Sequence, residues 1–399
     1  MSQFIRYLGA MVLGLTLGLS VSLSGQENAK SILNQYDYPL LVDIMDTIET
    51  YYVNQISRDE LIEGAIEGMF KKLDPYSGYL THQDLINIRD ANKGEYFGYG
   101  FEVASDDEFI RIVSPFADSP AARAGIVAGD QIVAVNKHQV GEMALNDVLA
   151  EIRYHSVHDL PLTLTLRHAN QQSYQVTLKP DTISVASVQG KWLEGDIGYI
   201  RLTSFQDSTT QELINQINQW QTPARGLILD LRNNPGGLLD QAIRIADLFL
   251  AKGRIVSTSG RFFDANSDYF ASPQTLMTNV PILVLINKGS ASASEVLAAA
   301  LQENGRALLI GETSFGKGTV QSLIPTIHMD SAIKLTIAHY NTPKGNDIHA
   351  KGIEPDIKIA VKAAVKDETD VAIINSEQAE KQNEDLPLAS AIAWIENQK

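Results

Sequence analysis

The sequence contains no cysteine among its 399 residues. This absence excludes disulfide bonds, a catalytic thiolate and a cysteine-ligated metal centre. Basic side chains are also fewer than acidic ones, with 32 Lys and Arg against 48 Asp and Glu. The sequence has no prominent cluster of basic residues. The resulting net charge of −16 argues against a nucleic acid as a partner.

Long apolar runs are almost absent, and the one that exists lies at the N-terminus. Residues 7–23 are apolar, follow Arg6 and are bounded by small and polar residues. A positive charge followed by such a run is typical of a secretory signal. We therefore predict a signal peptide or signal anchor over residues 1–25, and we expect export. A buried N-terminal helix is the alternative, but a polar linker follows the run rather than further core elements.

The remaining chain divides into regions of different periodicity. The two segments LLVDIMDTIETYYV and SRDELIEGAIEGMFKKL have apolar residues at helical spacing, and Ser57 with Glu60 forms a capping-box pattern. Short strand-length runs with two helical interruptions follow, and then strands and helices alternate, which indicates an α/β layer core. The predicted regions are a helical region at 35–93, a compact α+β module at 94–180, the α/β core at 181–360, and a linker with a C-terminal helix at 361–399.

Two glycine-containing turns join strands to helices in the α/β core. They are DLRNNPGGLLDQA at 230–242 and NKGSASASEV at 287–296. Such turns present backbone N–H groups at a helix N-terminus, where these groups can bind an anion or an oxyanion. Tight packing alone is the alternative explanation for the glycines.

A third glycine-rich stretch, GETSFGKGTVQ, partly matches a phosphate-binding loop. Gly318 stands where that motif requires Ser or Thr, and an extended stretch follows instead of a helix, so nucleotide binding is not expected. Burial between glycines would instead lower the pKa of Lys317, and a neutral lysine can deprotonate a serine. A solvated lysine in a hairpin is the alternative.

Histidine is the rival general base. No histidine lies in a glycine turn, and only His339 lies in a predicted strand of the α/β core. A triad requires proximity in space rather than in sequence, so this pattern leaves His339 open as a base or as a packed core residue.

The combination of motifs resembles the C-terminal processing peptidases, or tail-specific proteases. GSASASE and TSFGKGTVQ are similar to the active-site signature of that family, and LDPYSGYL, SPAARAGI, GDQIVAVN, DLRNNPGG and TPKGNDIHAKGIEPDI follow in the family's pattern. The resemblance implies an α/β and α+β multidomain protein. Its crotonase-like α/β protease core would carry an inserted PDZ domain over 94–180 and helical N- and C-terminal segments.

The resemblance also implies the catalytic residues. Ser292 would be the nucleophile, Lys317 the base, and Gln321 the residue that orients the lysine. The oxyanion would bind the N–H groups of Ala293 and Gly237, with Gly236 as the alternative to Gly237. Ser290 and Ser294 would be structural, for example as caps of the helix that starts near Glu295.

In the predicted PDZ domain, GYGFEV would be the carboxylate-binding loop. The N–H groups of Tyr99, Gly100 and Phe101 would bind the terminal carboxylate of a peptide that adds as a strand. Arg153 matches an arginine that gates the active site in relatives, but Tyr154 replaces the adjacent glycine and leaves that role open.

The expected protein is an exported serine endopeptidase of the periplasm or cell envelope, without a metal or cofactor. The resemblance implies protein substrates bound by their C-terminal tails, among them peptidoglycan hydrolases, and a lipoprotein adaptor. It also implies a homodimer or larger homo-oligomer formed through the apolar faces of 40–53 and 386–396. The alternative is that these two faces pack on their own domain. A PDZ scaffold that binds tails without cutting them is the alternative function.

Overall fold

The computed structural model describes residues 38–106, 109–142, 145–168, 172–220, 222–327, 330–359 and 385–398. The predicted signal segment and most of the predicted linker lie outside these ranges. In the described part of the chain, no helix combines the length and apolarity needed to cross a membrane. Of the residues within these ranges, those up to Tyr79 form one compact unit, and those from Leu80 onward form another.

The first unit contains two helices, α1 (Tyr38–Tyr51) and α2 (Arg58–Phe70). The predicted capping box is confirmed, because Ser57 accepts from the N–H of Glu60 and the Glu60 side chain accepts from the N–H of Ser57. Arg58 pairs with Asp46 and Glu49 of α1 and so links the two helices. A short strand, β1 (Gly78–Leu80), follows them in the chain.

The second unit begins with α3 (His82–Lys93) and continues into the predicted α+β module. The module contains the short helix α4 (Pro120–Arg123), the helix α5 (Leu145–Val157) and a sheet in the order β3–β4–β5–β7–β8, with β6 paired to β5. The strands β2 and β9 pair with each other where the chain enters and leaves the module. The strand bounds are β2 Glu95–Gly98, β3 Phe101–Asp106, β4 Phe109–Pro115, β5 Gln131–Val135, β6 His138–Gln139, β7 Leu162–Arg167, β8 Tyr174–Leu178 and β9 Asp181–Ser184.

The α/β core is a six-stranded sheet in the order β10–β11–β12–β15–β16–β19. The first pair is antiparallel and all others are parallel. The strand bounds are β10 Val188–Leu193, β11 Ile197–Leu202, β12 Gly226–Asp230, β15 Ile282–Ile286, β16 Ala307–Gly311 and β19 Ile357–Lys358.

Alternate residues of each strand point to opposite faces of this sheet. Both faces are apolar, and helices cover both of them. Leu227 and Leu229 of β12 face one apolar core, whereas Ile228 faces another. Three helices belong to the first face, and α9, the predicted C-terminal helix, packs on the second. The helix bounds are α6 Thr209–Asn218, α7 Leu239–Phe249, α8 Ala293–Glu303 and α9 Leu386–Glu396.

A second, antiparallel sheet contains β13 (Arg254–Ser259), β14 (Ser267–Phe270), β17 (Thr319–Pro325) and β18 (Ala332–Asn341). Strands β13 and β18 therefore belong to this second sheet and not to the six-stranded one. The physical reason is connectivity. β13 and β17 each turn back into a neighbouring strand, and only a helical crossover would bring the next strand in parallel.

Candidate active site

Ser292 lies at the turn between β15 and α8, directly before the first helical residue. It has φ of 57°, a region that non-glycine residues adopt at an energetic cost. Nucleophilic serines occur at strained strand-to-helix turns of this kind, because the turn presents the hydroxyl beside free backbone N–H groups. The side chains around it are closely packed, and only 8% of Ser292 is exposed.

The two glycine-containing turns predicted from the sequence are bonded to each other. The Ser290 hydroxyl donates to the carbonyl of Leu231 at 2.8 Å, and the Ser294 hydroxyl donates to the carbonyl of Asn234 at 2.9 Å. Both hydroxyls therefore bond to the neighbouring turn, and they do not cap α8, contrary to the prediction. The helix begins at Ala293 with Ser292 as its N-cap, so its start precedes the predicted one and the other two serines are free to join the turns.

Glu295, in the first turn of α8, bonds to two segments. They are the serine turn, NKGSASASEV, and the lysine loop, GETSFGKGTVQ at 311–321. The Glu295 side chain is fully buried. Its Oε2 accepts from the backbone N–H of Ser292 at 2.8 Å and from that of Lys317 at 2.9 Å. Its Oε1 accepts from the N–H of Gly316 at 2.7 Å and from the hydroxyl of Ser314. One carboxylate therefore brings the predicted nucleophile and base together, and the sequence analysis had assigned it no role.

Lys317 is half-buried, and its pKa is lowered from the ordinary value of a lysine. Desolvation is the largest cause, because burial disfavours the charged ammonium. The positive charge of Lys334 on β18 lowers the pKa further, while the Glu295 carboxylate acts in the opposite direction. The environment therefore increases the neutral fraction of Lys317, the form that can accept a proton.

Gln321 lies on β17, four residues after Lys317 in the chain. Its Nε2 donates to the hydroxyls of Thr319 and Thr336 at 2.9 and 3.3 Å. These bonds fix the orientation of the amide. The strand starts only at Thr319, and a bulge interrupts its pairing between Val320 and Gln321. The alternation of a regular strand therefore does not extend from Lys317 to Gln321.

The structure distinguishes the two glycines considered as oxyanion donors. The N–H of Gly236 already donates to Oδ1 of Asn234 at 2.9 Å. Gly237 forms a bridge with Phe205 through the neighbouring peptide groups, and no described residue accepts from its own N–H. The same holds for the N–H of Ala293, the first residue of α8. The N–H groups of Gly237 and Ala293 are therefore available to a ligand, and their role as oxyanion donors stays a prediction.

Tyr340 is a further group at the site, and sequence reasoning missed it. The Ser292 side chain lies beside its hydroxyl and acts to lower its pKa. Burial, with a smaller contribution from Tyr269, raises the pKa of Tyr340 to about 12, so the phenol is neutral near pH 7. No motif marks this tyrosine, and only the pairing of β17 with β18 brings it to the serine.

His339 is neither a core residue nor a partner of the serine. Its side chain is 48% exposed, which contradicts the packed-core alternative, because it lies on the outer face of β18. Its ring packs edge-on against His349 with centroids 5.5 Å apart, and its Nδ1 lies 4.0 Å from Asp347.

The predicted carboxylate-binding residues border one groove of about 490 Å³ between β3 and α5. Gly100 has φ of 81° and its carbonyl accepts from the Ser119 hydroxyl at 2.9 Å, which fixes the loop. Tyr99 faces away from the solvent, and its hydroxyl donates to the carbonyl of Leu160 at 2.8 Å. The residues that border the groove include Tyr99, Gly100, Phe101, Leu149, Ile152 and Arg153.

Comparison with known proteins agrees with this architecture. A model of peptidase family S41 matches residues 196–359, a PDZ domain model matches 111–167, and a model of the activating protease CtpB N-terminal domain matches 20–84. The carboxy-terminal-processing protease of Bartonella bacilliformis is 40% identical over 351 residues, which cover 86% of this chain and 79% of the relative. The carboxy-terminal processing protease CtpA of Bacillus subtilis is 37% identical, covering 84% of this chain and 72% of the relative.

A solved structure, the photosystem II D1 C-terminal processing protease, matches with a TM-score of 0.50 and 25% identity over 82% of this chain and 94% of the other. A strained serine at a strand-to-helix turn, a PDZ domain and these relatives together define a serine-type peptidase. The chain belongs to peptidase family S41, among the carboxy-terminal processing proteases.

Proposed function

We propose that the protein is a serine endopeptidase that binds protein C-termini in its PDZ groove and cleaves peptide bonds with a dyad of Ser292 and Lys317. One observation carries this proposal: the backbone N–H groups of Ser292 and Lys317 both donate to Oε2 of Glu295, and the pKa of Lys317 is lowered. A serine without a nearby base is a poor nucleophile, and a lysine with a depressed pKa is a competent base.

In the proposed reaction, neutral Lys317 accepts the proton of the Ser292 hydroxyl as its oxygen attacks the scissile carbonyl carbon. The N–H groups of Gly237 and Ala293 donate to the oxyanion that forms. Lys317 then gives the proton to the departing amine, and an acyl-enzyme remains. A water molecule, deprotonated by Lys317, attacks the ester, and the serine recovers its proton on release of the acid.

Gln321 has a supporting role in this proposal. Its side-chain N–H groups are bonded to the hydroxyls of Thr319 and Thr336. That arrangement leaves the amide oxygen as the atom that orients Lys317 by accepting from its amino group.

Tail recognition rests on the groove beside the loop of Tyr99, Gly100 and Phe101. A peptide that adds to β3 as a further strand would end where this loop offers its N–H groups. A free carboxylate satisfies such a loop, whereas an internal segment of a protein presents no charge there. The relatives named for carboxy-terminal processing are consistent with this preference.

The test uses one unfolded protein substrate in two forms, with a free C-terminal carboxylate and with a C-terminal amide. Intact mass spectrometry follows cleavage by the wild type and by Ser292→Ala. We expect the free carboxylate to be cleaved with a lower KM than the amide, and we expect no cleavage by the variant. Equal KM values would contradict tail recognition, and equal cleavage by Ser292→Ala would contradict the catalytic assignment.

We further propose that the protein is exported and acts in the periplasm or cell envelope, on envelope proteins such as peptidoglycan hydrolases. Arg6 and the apolar residues 7–23 support this location. Capture of envelope proteins with Ser292→Ala would identify substrates and a lipoprotein adaptor. The apolar residues Ala391 and Ile395 of 386–396 pack on the parallel sheet, contrary to the predicted role of that face in assembly. A homo-oligomer formed through α1 alone is supported by its exposed apolar residues Leu40, Leu41 and Ile44, and sedimentation of the purified protein tests it.

A further inference from the structure

The C-terminal helix α9 is bonded to the turn that carries the proposed oxyanion donor. Asp385, the N-cap of α9, accepts two hydrogen bonds from the guanidinium of Arg232, at 2.6 and 2.8 Å. Arg232 is the third residue of the motif DLRNNPGG, and Gly237 follows it in the same turn. A residue far along the chain thereby contacts the start of the oxyanion turn.

Arg232 is held by two carboxylates at once. Its guanidinium donates to both oxygens of Asp230, at 2.6 to 3.1 Å, and its backbone N–H donates to Oδ1 of the same residue at 2.9 Å. Asp230 is fully buried and also accepts from the hydroxyl of Tyr199 at 2.7 Å. Paired, bidentate bonds of this kind fix a guanidinium in one plane, which a single exposed ion pair does not do.

The turn after Arg232 continues this rigid arrangement to the catalytic groups. Asn233 exchanges two hydrogen bonds with the side chain of Asn287, at 2.8 and 2.9 Å, and Asn287 is the first residue of the serine turn. Asn234 then fixes the N–H of Gly236 and accepts from Ser294. The direction of the Gly237 N–H therefore depends on a set of bonds whose outermost member is Asp385.

Helix α9 also has an anchor at its opposite end. Arg225, which precedes β12, donates to the carbonyl of Glu396 in the last turn of α9 at 2.9 Å. Ala391 and Ile395 of the helix are fully buried against the sheet. The Arg225 contact attaches the same helix to the same strand, but at the end away from the oxyanion turn. It provides a matched control for the contact made by Asp385.

We infer that Asp385 is a positioning residue for the oxyanion turn, so that the C-terminal helix is a part of the catalytic unit and not only a covering layer. The inference rests on the proposed function. It adds that the ion pair between Asp385 and Arg232 holds the turn in the geometry that places the Gly237 N–H on the oxyanion. A donor displaced by a fraction of an ångström stabilises the transition state less and leaves substrate binding unaffected.

The test compares Asp385→Asn with Arg225→Gln in the full chain. Asparagine keeps the N-cap of α9 and removes the charge that orients Arg232. We expect Asp385→Asn to lower kcat about 10-fold with KM within about twofold of the wild type, because a displaced donor costs less than a deleted one. Arg225→Gln should keep kcat, and Asp385→Glu should restore part of the loss.

A second readout separates positioning from a general loss of structure. A peptide aldehyde forms a hemiacetal with the nucleophilic serine and places an oxygen in the oxyanion site. Its affinity for Asp385→Asn should fall by the same factor as kcat, while the melting temperature stays close to that of Arg225→Gln. Wild-type kcat and aldehyde affinity in Asp385→Asn would overturn the inference, and so would equal losses of kcat in both variants. If the wild type cleaves nothing, or Ser292→Ala cleaves equally, the proposed function itself fails.

Discussion

The backbone N–H groups of Ser292 and Lys317 donate to the same atom, Oε2 of Glu295, at 2.8 and 2.9 Å. Two segments that are distant in sequence are thereby fixed at one buried carboxylate. The serine turn follows β15 of the parallel sheet, whereas the lysine loop leads into β17 of the antiparallel one. The N–H of Phe315 also donates to the carbonyl of Ser290, at 3.0 Å, but Glu295 is the group that holds the backbones of Ser292 and Lys317 themselves.

Replacement of Glu295 by Gln should reduce activity and stability together. Whichever way the new amide is oriented, its NH₂ group faces backbone N–H donors that the carboxylate now accepts from. The free energy of unfolding should fall by about 3 kcal/mol, the usual cost of an unsatisfied buried hydrogen-bonding group with a lost charge. Denaturant titration and kcat measure the two effects. Glu354→Gln, at a carboxylate that is 72% exposed, is the control, and similar losses in both variants would contradict this role.

Replacement of Lys334 by Gln should shift the pH dependence of cleavage to higher pH. The charge of Lys334 destabilises the protonated form of Lys317 and lowers its pKa. Its removal raises that pKa, so a higher pH is needed to obtain the neutral base, and the rate at a fixed pH on the acidic limb falls. The profile of kcat/KM against pH measures the midpoint. The exposed Lys344 provides the control substitution, Lys344→Gln. An unmoved midpoint in Lys334→Gln would count against Lys317 as the base.

Replacement of Tyr340 by Phe should lower kcat by about 3- to 10-fold, because the proposed nucleophile Ser292 loses a polar group that lies beside its side chain. The midpoint of the acidic limb should stay unchanged, since a phenol with a pKa of about 12 is neutral over that range. Tyr269→Phe, which removes a neighbouring hydroxyl, is the matched control. A shift of the midpoint in Tyr340→Phe would indicate that the tyrosine, and not the lysine, titrates in the reaction.

Replacement of Gly100 by Ala should weaken binding of C-terminal tails. The added methyl would lie 2.1 Å from Cβ of Ser119, so the loop must move. We expect KM for a tail-bearing substrate to rise about tenfold, as for the loss of one charged hydrogen bond, with kcat unchanged. Gly129→Ala is the control, because Gly129 has a similar φ of 90° and open space around it. An unchanged KM in Gly100→Ala would exclude this loop from tail binding.

The sequence predicted the local elements of the site better than their relation to each other. The apolar run before NKGSASASEV and the alanines after it indicated a strand and a helix, and both exist as β15 and α8. The capping box at Ser57 is also confirmed, because its geometry depends only on neighbouring residues.

Contacts between distant segments could not be predicted in the same way. Glu295 resembles an ordinary residue in the first turn of a helix, and its four donors come partly from a loop of another sheet. Tyr340 and Asp385 carry no motif either. Their roles depend on strand pairing and on the packing of α9, which periodicity does not determine. The bulge before Gln321 likewise has no sequence signal that we recognised.

The most direct test of the dyad is labelling by a fluorophosphonate, whose phosphorus is attacked by an activated serine with loss of fluoride. Tryptic mapping by mass spectrometry identifies the modified residue and its rate of modification. We predict modification of Ser292 in the wild type, at a rate that rises with pH through the lowered pKa of Lys317, and little or none in Lys317→Ala. Modification of Ser290 or Ser294 instead, or equally fast labelling of Lys317→Ala, would contradict the account.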